Sequence, residues 1–320
     1  MSDKLPELNA QELPSILAAM GERFGWEPGM ASAVAVTQWE SRKAAFGRVT
    51  TGADREIIVK QGIGWTPEDA RFVYEELGRL TALVADLDIA VPEPLGWAES
   101  PPLVAMGATD GDILFTDILT DLGAWPGDAA RLVELVTRCG RAIGKYHAAQ
   151  PAGDDADLEA AARADLRRAA RRSLVRRSTA VAAAAGLPRA RGFRFSPNDF
   201  LVAADGRLIL LDPPHVRKYD YVHRDVSSFT FEVDRALRGK DRATAMKLNR
   251  AFVEGYRSEG LCDPAEGRHR WAVRLYETSR ITGLAYGRLQ RRRVREAAGA
   301  VGWAIRQRAS LGWRGTRPPS

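Results

Sequence analysis

Three residues of this chain could act together on a charged ligand: an acid ending one apolar run, a lysine ending another, and a glutamate on the apolar face of a helical stretch. Asp212 closes the run Leu208-Ile-Leu-Leu211 and is followed by Pro213-Pro214, which stop further ladder pairing. A carboxylate at a strand end beside a polar loop is placed to hold a metal ion on a phosphate. Lys60 closes Glu56-Ile-Ile-Val59. Its plain role would be that of an edge-strand lysine that keeps a sheet from sticking, but the stretch after it gives it a partner. Thr66-Pro-Glu-Asp69 opens a helix with a capping hydroxyl, a proline at the first helical position and acids in the first turn. Val73, Glu76, Leu77, Leu80 and Leu83-Val84 then fall on one face at three- and four-residue spacing. Glu76 on that apolar side needs a cation, and Lys60 is the natural one. Glu75 projects about 100° away from the same face.

A second constellation is basic. Residues 157–185 read as one long Ala/Arg helix on which Arg163, Arg167, Arg168, Arg171, Arg172, Arg176 and Arg177 form a stripe, opposed nearby only by Asp165. A solvated face is the usual meaning of such a run. The alternative is a docking surface for an acidic peptide, with Arg167, Arg168, Arg171 and Arg172 as its centre, because guanidinium forks suit carboxylates and phosphates. Arg291-Arg-Arg293 and Arg295 make a further basic cluster. His147, at core spacing in the helix that Asp128 caps, reads as a satisfied core histidine.

These residues must be positioned by a mixed set of elements. A short amphipathic helix ends near Gly25, with Asn9 as its expected cap. Residues 32–39, 44–51 and 56–61 read as a three-stranded meander. Val91-Pro-Glu-Pro94 reads as an extended linker, and 102–107 with 112–118 as a further hairpin. Phe193 to Val202 runs from a turn-rich loop, Ser196-Pro-Asn198, into a strand. Asp205-Gly206 is a tight-turn signal between that strand and the next. From Thr120 onward the composition turns helical, and residues 242–308 read as three closing helices.

At 320 residues, with 45% hydrophobic and 28% charged, the chain can bury a core large enough for two lobes. No apolar run reaches transmembrane length and the N-terminus lacks a secretory apolar region, so a cytoplasmic protein without a membrane partner is expected. Cys139 and Cys262 are the only cysteines and read as reduced thiols. No Cys/His cluster has zinc-ligand spacing, so no structural metal is expected. A net charge of +6 suits an anionic ligand. Its spread through an Arg/Ala-rich chain, with no base-reading module, argues against a specific nucleic-acid partner.

The stretch from Phe195 to Asp212 resembles the catalytic loop, hairpin and metal-binding Asp of the aminoglycoside and choline phosphotransferases, a branch of the protein-kinase-like superfamily. The likeness spans roughly residues 32–290. It implies an α+β, bilobal protein-kinase-like fold: an N-terminal extension (1–31), a small antiparallel-sheet lobe with one main helix (32–118) and a larger, mainly helical lobe (119–320). It implies ATP and Mg2+ as cofactors, Asp212 as a metal ligand, and Lys60 with Glu76 on the α- and β-phosphates. Asp117 and Ile118 would stand at the hinge beside the adenine. Ser41-Arg42-Lys43 would lie over the phosphates, with Arg42 acting through its side chain because the turn lacks glycine-rich spacing. Asp225 would cap a following helix and brace the loop. His223-Arg224-Asp225 is not the catalytic triplet, since it lies downstream of the metal carboxylate.

The loop departs from the family pattern at three positions. Gly192 stands where the His belongs, Arg194 where the catalytic Asp belongs, and Asp199 where the Asn belongs. Arginine cannot accept a proton, though it can neutralise a transferring phosphoryl group, and Asp199 can still offer a carboxylate to metal. Two functions follow from the resemblance. One is a divergent phosphotransferase acting on a hydroxyl of a small molecule or of an acidic peptide's Ser/Thr. The other is a pseudokinase that presents a peptide or partner enzyme without transfer.

Overall fold

The computed structural model describes residues 11–27, 29–30, 33–40, 44–109, 113–122, 128–150, 156–191, 195–211, 219–237, 241–291 and 294–310. The chain forms two compact units, Met1–Ile113 with Leu201–His215, and Leu114–Phe200 with Val216–Ser320.

The first unit is built on a five-stranded antiparallel sheet whose alternation is set by strand β3 (Glu56–Gly62). Ile57 and Val59 pack with Leu103, Ala105 and Val49 against Leu13, Leu17 and Met20 of helix α1 (Leu13–Phe24). Ile58 faces the other way, toward Val73 and Leu77 of helix α2 (Pro67–Val84), as the two-residue period of a strand requires. Each fully buried Leu or Val in these layers contributes roughly 1.5–3 kcal/mol. Around β3 the order is β1 (Ala33–Glu40), β2 (Ala44–Thr51), β3, β6 (Pro102–Gly107) and β5 (Pro94–Glu99). The meander and α2 stand where the sequence placed them. The cap of α2 is a full capping box, with Thr66 Oγ1 accepting from the Asp69 amide and Asp69 Oδ2 accepting from the Thr66 amide. Helix α1 begins at Leu13, and the expected cap Asn9 lies outside the described residues.

The later hairpin differs from expectation. Strand β6 pairs with β5, through the Ser100-Pro101 turn, so the expected linker Val91–Pro94 runs at Pro94 directly into a strand that the sequence reading did not include. Strand β7 is only Ile113–Leu114 and gives way at once to helix α3 (Phe115–Thr120). A small second sheet has the order β4 (Ile89–Ala90), β10 (Leu208–Leu210), β9 (Phe200–Val202), β7, with β10 parallel to β4. The Asp205-Gly206 turn joins β9 to β10, Gly206 taking a φ of 79°. Pairing of β10 with β4 groups residues 201–215 with the first unit, and the change of unit falls at Ile113/Leu114 rather than at 118/119.

The second unit is helical: α4 (Ala129–Ala148), α5 (Ala156–Arg172), α6 (Arg177–Ala183), α7 (His223–Leu237), α8 (Arg242–Glu259), α9 (Gly267–Gln290) and α10 (Val294–Ser310), with a two-stranded ribbon of β8 (Arg189–Arg191) and β11 (Tyr219–Tyr221). Helices α4 and α8 touch backbone to backbone through Gly140 and Gly255. A Cβ at Gly140 would lie 2.1 Å from the Phe252 carbonyl oxygen, and one at Gly255 would lie 2.1 Å from that of Thr137. The long Ala/Arg helix is in fact two. Leu174 takes a left-handed φ of 57°, Val175 N–H bonds Ala170 O at 2.9 Å and Leu174 N–H bonds Arg171 O at 3.2 Å. That paired pattern is a Schellman stop, and Ser173 Oγ fastens it to Leu275 O at 3.0 Å. Among the described residues no helix is long and apolar enough to cross a membrane.

Candidate functional site

In the first unit the strand period puts Ile58, Lys60 and Gly62 on the face that α2 covers. Lys60 is fully buried, with Nζ 5.4 Å from the centroid of the Trp65 ring and 5.8 Å from that of Phe46. Trp65 belongs to the same cluster as Val73 and Leu77 and lies so close over Gly62 that a Cβ there would meet its indole nitrogen at 1.9 Å. A glycine at this strand end therefore lets the indole fold down beside the ammonium. A fully buried lysine is costly unless an anion balances it.

Glu76 is buried on α2 and Glu75 is exposed, the choice the helical spacing favoured. The Glu76 carboxylate is gripped by Arg79, one turn on, which donates from Nε at 3.0 Å and from Nη2 at 2.6 Å. Sequence reasoning gave Glu76 only Lys60 and overlooked this arginine, although its i,i+3 spacing is a recognised pairing distance. Arg42 and Asp212 lie outside the described residues.

In the second unit the loop that resembles a catalytic loop is pinned at both ends by aromatics. Phe195 is fully buried, edge-on to Tyr146 at 5.7 Å and stacked on Phe200 at 6.4 Å, and Phe200 meets Phe229 edge-on at 6.2 Å. Between them residues 197–199 form a single 3-10 turn. Asp199 Oδ2 accepts from the Ser196 amide at 2.6 Å and from Ser196 Oγ at 3.0 Å, so this carboxylate serves as the turn's capping acid. Arg194 lies outside the described residues. Asp117 and Ile118 do not end a strand. Both sit in α3, where the Asp117 carbonyl accepts from the Asp121 amide at 3.0 Å and from Thr120 Oγ1 at 2.9 Å, so that carbonyl is engaged within its own helix.

His147 is buried and satisfied, as its core spacing implied. Its Nε2 lies 3.1 Å from Asp225 Oδ2 and its Nδ1 lies 3.0 Å from Tyr256 Oη. A carboxylate only accepts, so Nε2 carries the proton and Nδ1 accepts from the phenol. Burial, reinforced by nearby Cys262 and Asp225, raises the Tyr256 phenol well above its ordinary pKa and keeps it a donor. Asp225 lies in the first turn of α7, so it anchors α7 to α4 and α8 rather than capping a helix. Next to it, Arg224 bridges Asp165 at 2.7 Å and Asp220. Burial pushes the Asp220 carboxyl up to about 6 against the pull of Arg224.

The arginines divide between two helices. Arg163 pairs with Glu159, and Arg168 with Asp165 at 3.0 Å. Arg167, Arg171 and Arg172 are exposed on α5, while Arg177 opens α6. A group with no sequence signal is His223, Cys262 and His269, whose nitrogen and sulfur atoms lie within 4.8 Å of one another. They come from three separate elements, so no local spacing could announce them.

No protein-family profile matches the sequence, and no curated protein matches it. Solved structures do. An amicoumacin kinase in complex with AMP-PNP and Ca2+ is 14% identical, with a TM-score of 0.51 over 86% of this chain and 87% of that one. A glucosamine kinase is 18% identical, at 0.48 over 93% and 82%. An aminoglycoside phosphotransferase from Streptomyces rimosus is 13% identical, at 0.48 over 83% and 97%. With its antiparallel sheet covered by α1 on one face and α2 on the other, and its helical second unit, this chain has an α+β fold like that of the amicoumacin kinase.

Proposed function

We propose that the chain binds ATP through Lys60 and Glu76 and acts as a phosphotransferase, with a hydroxyl of a small molecule or of a peptide Ser/Thr as acceptor. The observation that carries the reading is the fully buried Lys60 on the face of the sheet that also receives the buried Glu76. Edge-strand lysines that only protect a sheet keep their ammonium in water. This one is wrapped by Trp65 and Phe46, which suits a cation held rigid for an anionic ligand. The Arg79 fork holds the Glu76 carboxylate in place for the same purpose.

Lys60 would be the fixed cation on a nucleotide's phosphates, with Arg42 assigned a side-chain contact to them. Magnesium, when bound, neutralises phosphate charge. Asp212 is the carboxylate assigned to hold it, and Asp199 would serve only by sharing its Ser196 contacts. Arg194 would balance charge on the transferring group rather than take a proton. The adenine edge is assigned away from Asp117, whose carbonyl is engaged in α3. Arg167, Arg171 and Arg172 would receive the acidic part of an acceptor.

One observation favours the pseudokinase reading: Asp199 is spent as a capping acid, and no proton acceptor stands at position 194. Incubation with ATP, magnesium and a panel of hydroxyl and acidic-peptide acceptors separates the two. The phosphotransferase reading expects a phosphorylated acceptor and loss of transfer in Arg194→Asp. Transfer that is absent in the natural protein and gained by Arg194→Asp would overturn it in favour of the pseudokinase.

A further inference from the structure

The sequence offers no run of ligands spaced for a metal, yet the second unit gathers two of its four histidines and one of its two cysteines at one point. His223 is the first residue of α7, Cys262 sits in the loop that follows α8, and His269 lies in the first turn of α9. The loop from Gly260 to Glu266 is shaped by local bonds, with Gly260 N–H on Tyr256 O at 2.7 Å and Asp263 Oδ1 accepting from the Ala265 amide at 2.8 Å. Those bonds turn Cys262 back toward the start of α7. Nε2 of His223 is 3.0 Å from Nδ1 of His269 and 3.8 Å from Sγ of Cys262. The two imidazole rings are nearly parallel, 14° apart with centroids at 5.2 Å, so neither ring blocks the other's approach.

We propose that His223, Cys262 and His269 form a binding site for a thiophilic divalent transition-metal ion, with zinc as the expected occupant and solvent as the fourth ligand. Zn–N bonds of about 2.0–2.1 Å and a Zn–S bond of about 2.3 Å set tetrahedral N···N and N···S separations at about 3.3 and 3.6 Å. The separations of 3.0 and 3.8 Å in this structure each lie within about 0.3 Å of those values. His223 is fully buried, while Cys262 and His269 are half-exposed, so an ion has a path in from the solvent side. Asp263 is not the fourth ligand, because it already holds the Ala265 amide and pairs with Arg257 at 3.5 Å.

Without metal, the His223–His269 contact is a hydrogen bond that keeps the ligands close. Binding replaces it: Cys262 binds as thiolate, its proton passes to solvent, and the His223 proton settles on Nδ1. That nitrogen is buried with no hydrogen-bond partner among the described residues. A site without such outer support is weaker by about 10- to 100-fold. The ion would clip the loop after α8 onto the starts of α7 and α9. It would thereby brace the turn of α7 whose Asp225 holds His147.

The test uses the whole chain, stripped with chelator and titrated with Zn2+ and then with Co2+. The expected result is one ion per chain, a cobalt spectrum with thiolate charge transfer, and a rise in melting temperature on adding Zn2+. Cys262→Ser and His269→Ala sit at half-exposed positions and should melt like the metal-free natural protein while losing the stoichiometric ion. Cys139→Ala, at the chain's other cysteine on α4, should keep it. No stoichiometric ion in the natural protein, or binding that survives both Cys262→Ser and His269→Ala, would overturn the proposal.

Discussion

Lys60 and Glu76 were legible in the sequence because two independent periods converge on them. The strand period turns Lys60 to the same side as Ile58, and the helical period turns Glu76 inward with Val73 and Leu77. Arg79 and the His223–Cys262–His269 trio were not legible in that way. The first was hidden by a preference for the strand cation, the second because its members meet only after three helices pack. Asp220 carries a residue-scale prediction of its own. Burial lets it hold its proton up to about 6 in the native state, whereas an unfolded aspartate gives it up near 3.8. The native form therefore binds more protons between those values, and the stability this group contributes falls as pH rises through that window. Denaturant melts from pH 4 to 7 should show the natural protein losing stability relative to Asp220→Asn as pH increases. A difference that stays flat, or grows, would contradict the assignment.

At the scale of elements, helix existence was readable from caps and spacing, as Thr66 and Asp128 show by accepting amide hydrogens at their helix starts. Helix ends were less so. The break between α5 and α6 is made by Leu174, a residue type that gives no stop signal, held in a left-handed conformation that usually calls for glycine. Leu174 is 70% exposed, so it loses little packing when replaced. Leu174→Gly should raise stability by about 0.5–1 kcal/mol in urea unfolding; an equal loss would mean the side chain does hidden packing. The α4–α8 crossing predicts the opposite sign. Gly140→Ala or Gly255→Ala forces a Cβ onto a backbone carbonyl and should cost at least about 1–3 kcal/mol. The same change should disturb the Tyr256–His147 contact that the close crossing allows. Helix α3 was read as the continuation of a strand over 112–118 for a simpler reason: residues 113–120 are too short a stretch for their period to choose between strand and helix.

For the molecule as a whole, the net charge of +6 and the exposed arginines of α5 agree with an anionic partner without naming it. The central claim, that Lys60 is buried for a nucleotide, has a direct test. Calorimetric titration with a non-hydrolysable ATP analogue and magnesium should show one saturable site in the natural protein. In Lys60→Met, affinity should fall at least about tenfold, roughly 1.4 kcal/mol. Because methionine fills a similar buried volume, the far-UV circular dichroism of the variant should match that of the natural protein, so that lost affinity reports the missing ammonium. Equal affinity in both proteins, or no binding in either, would contradict the account.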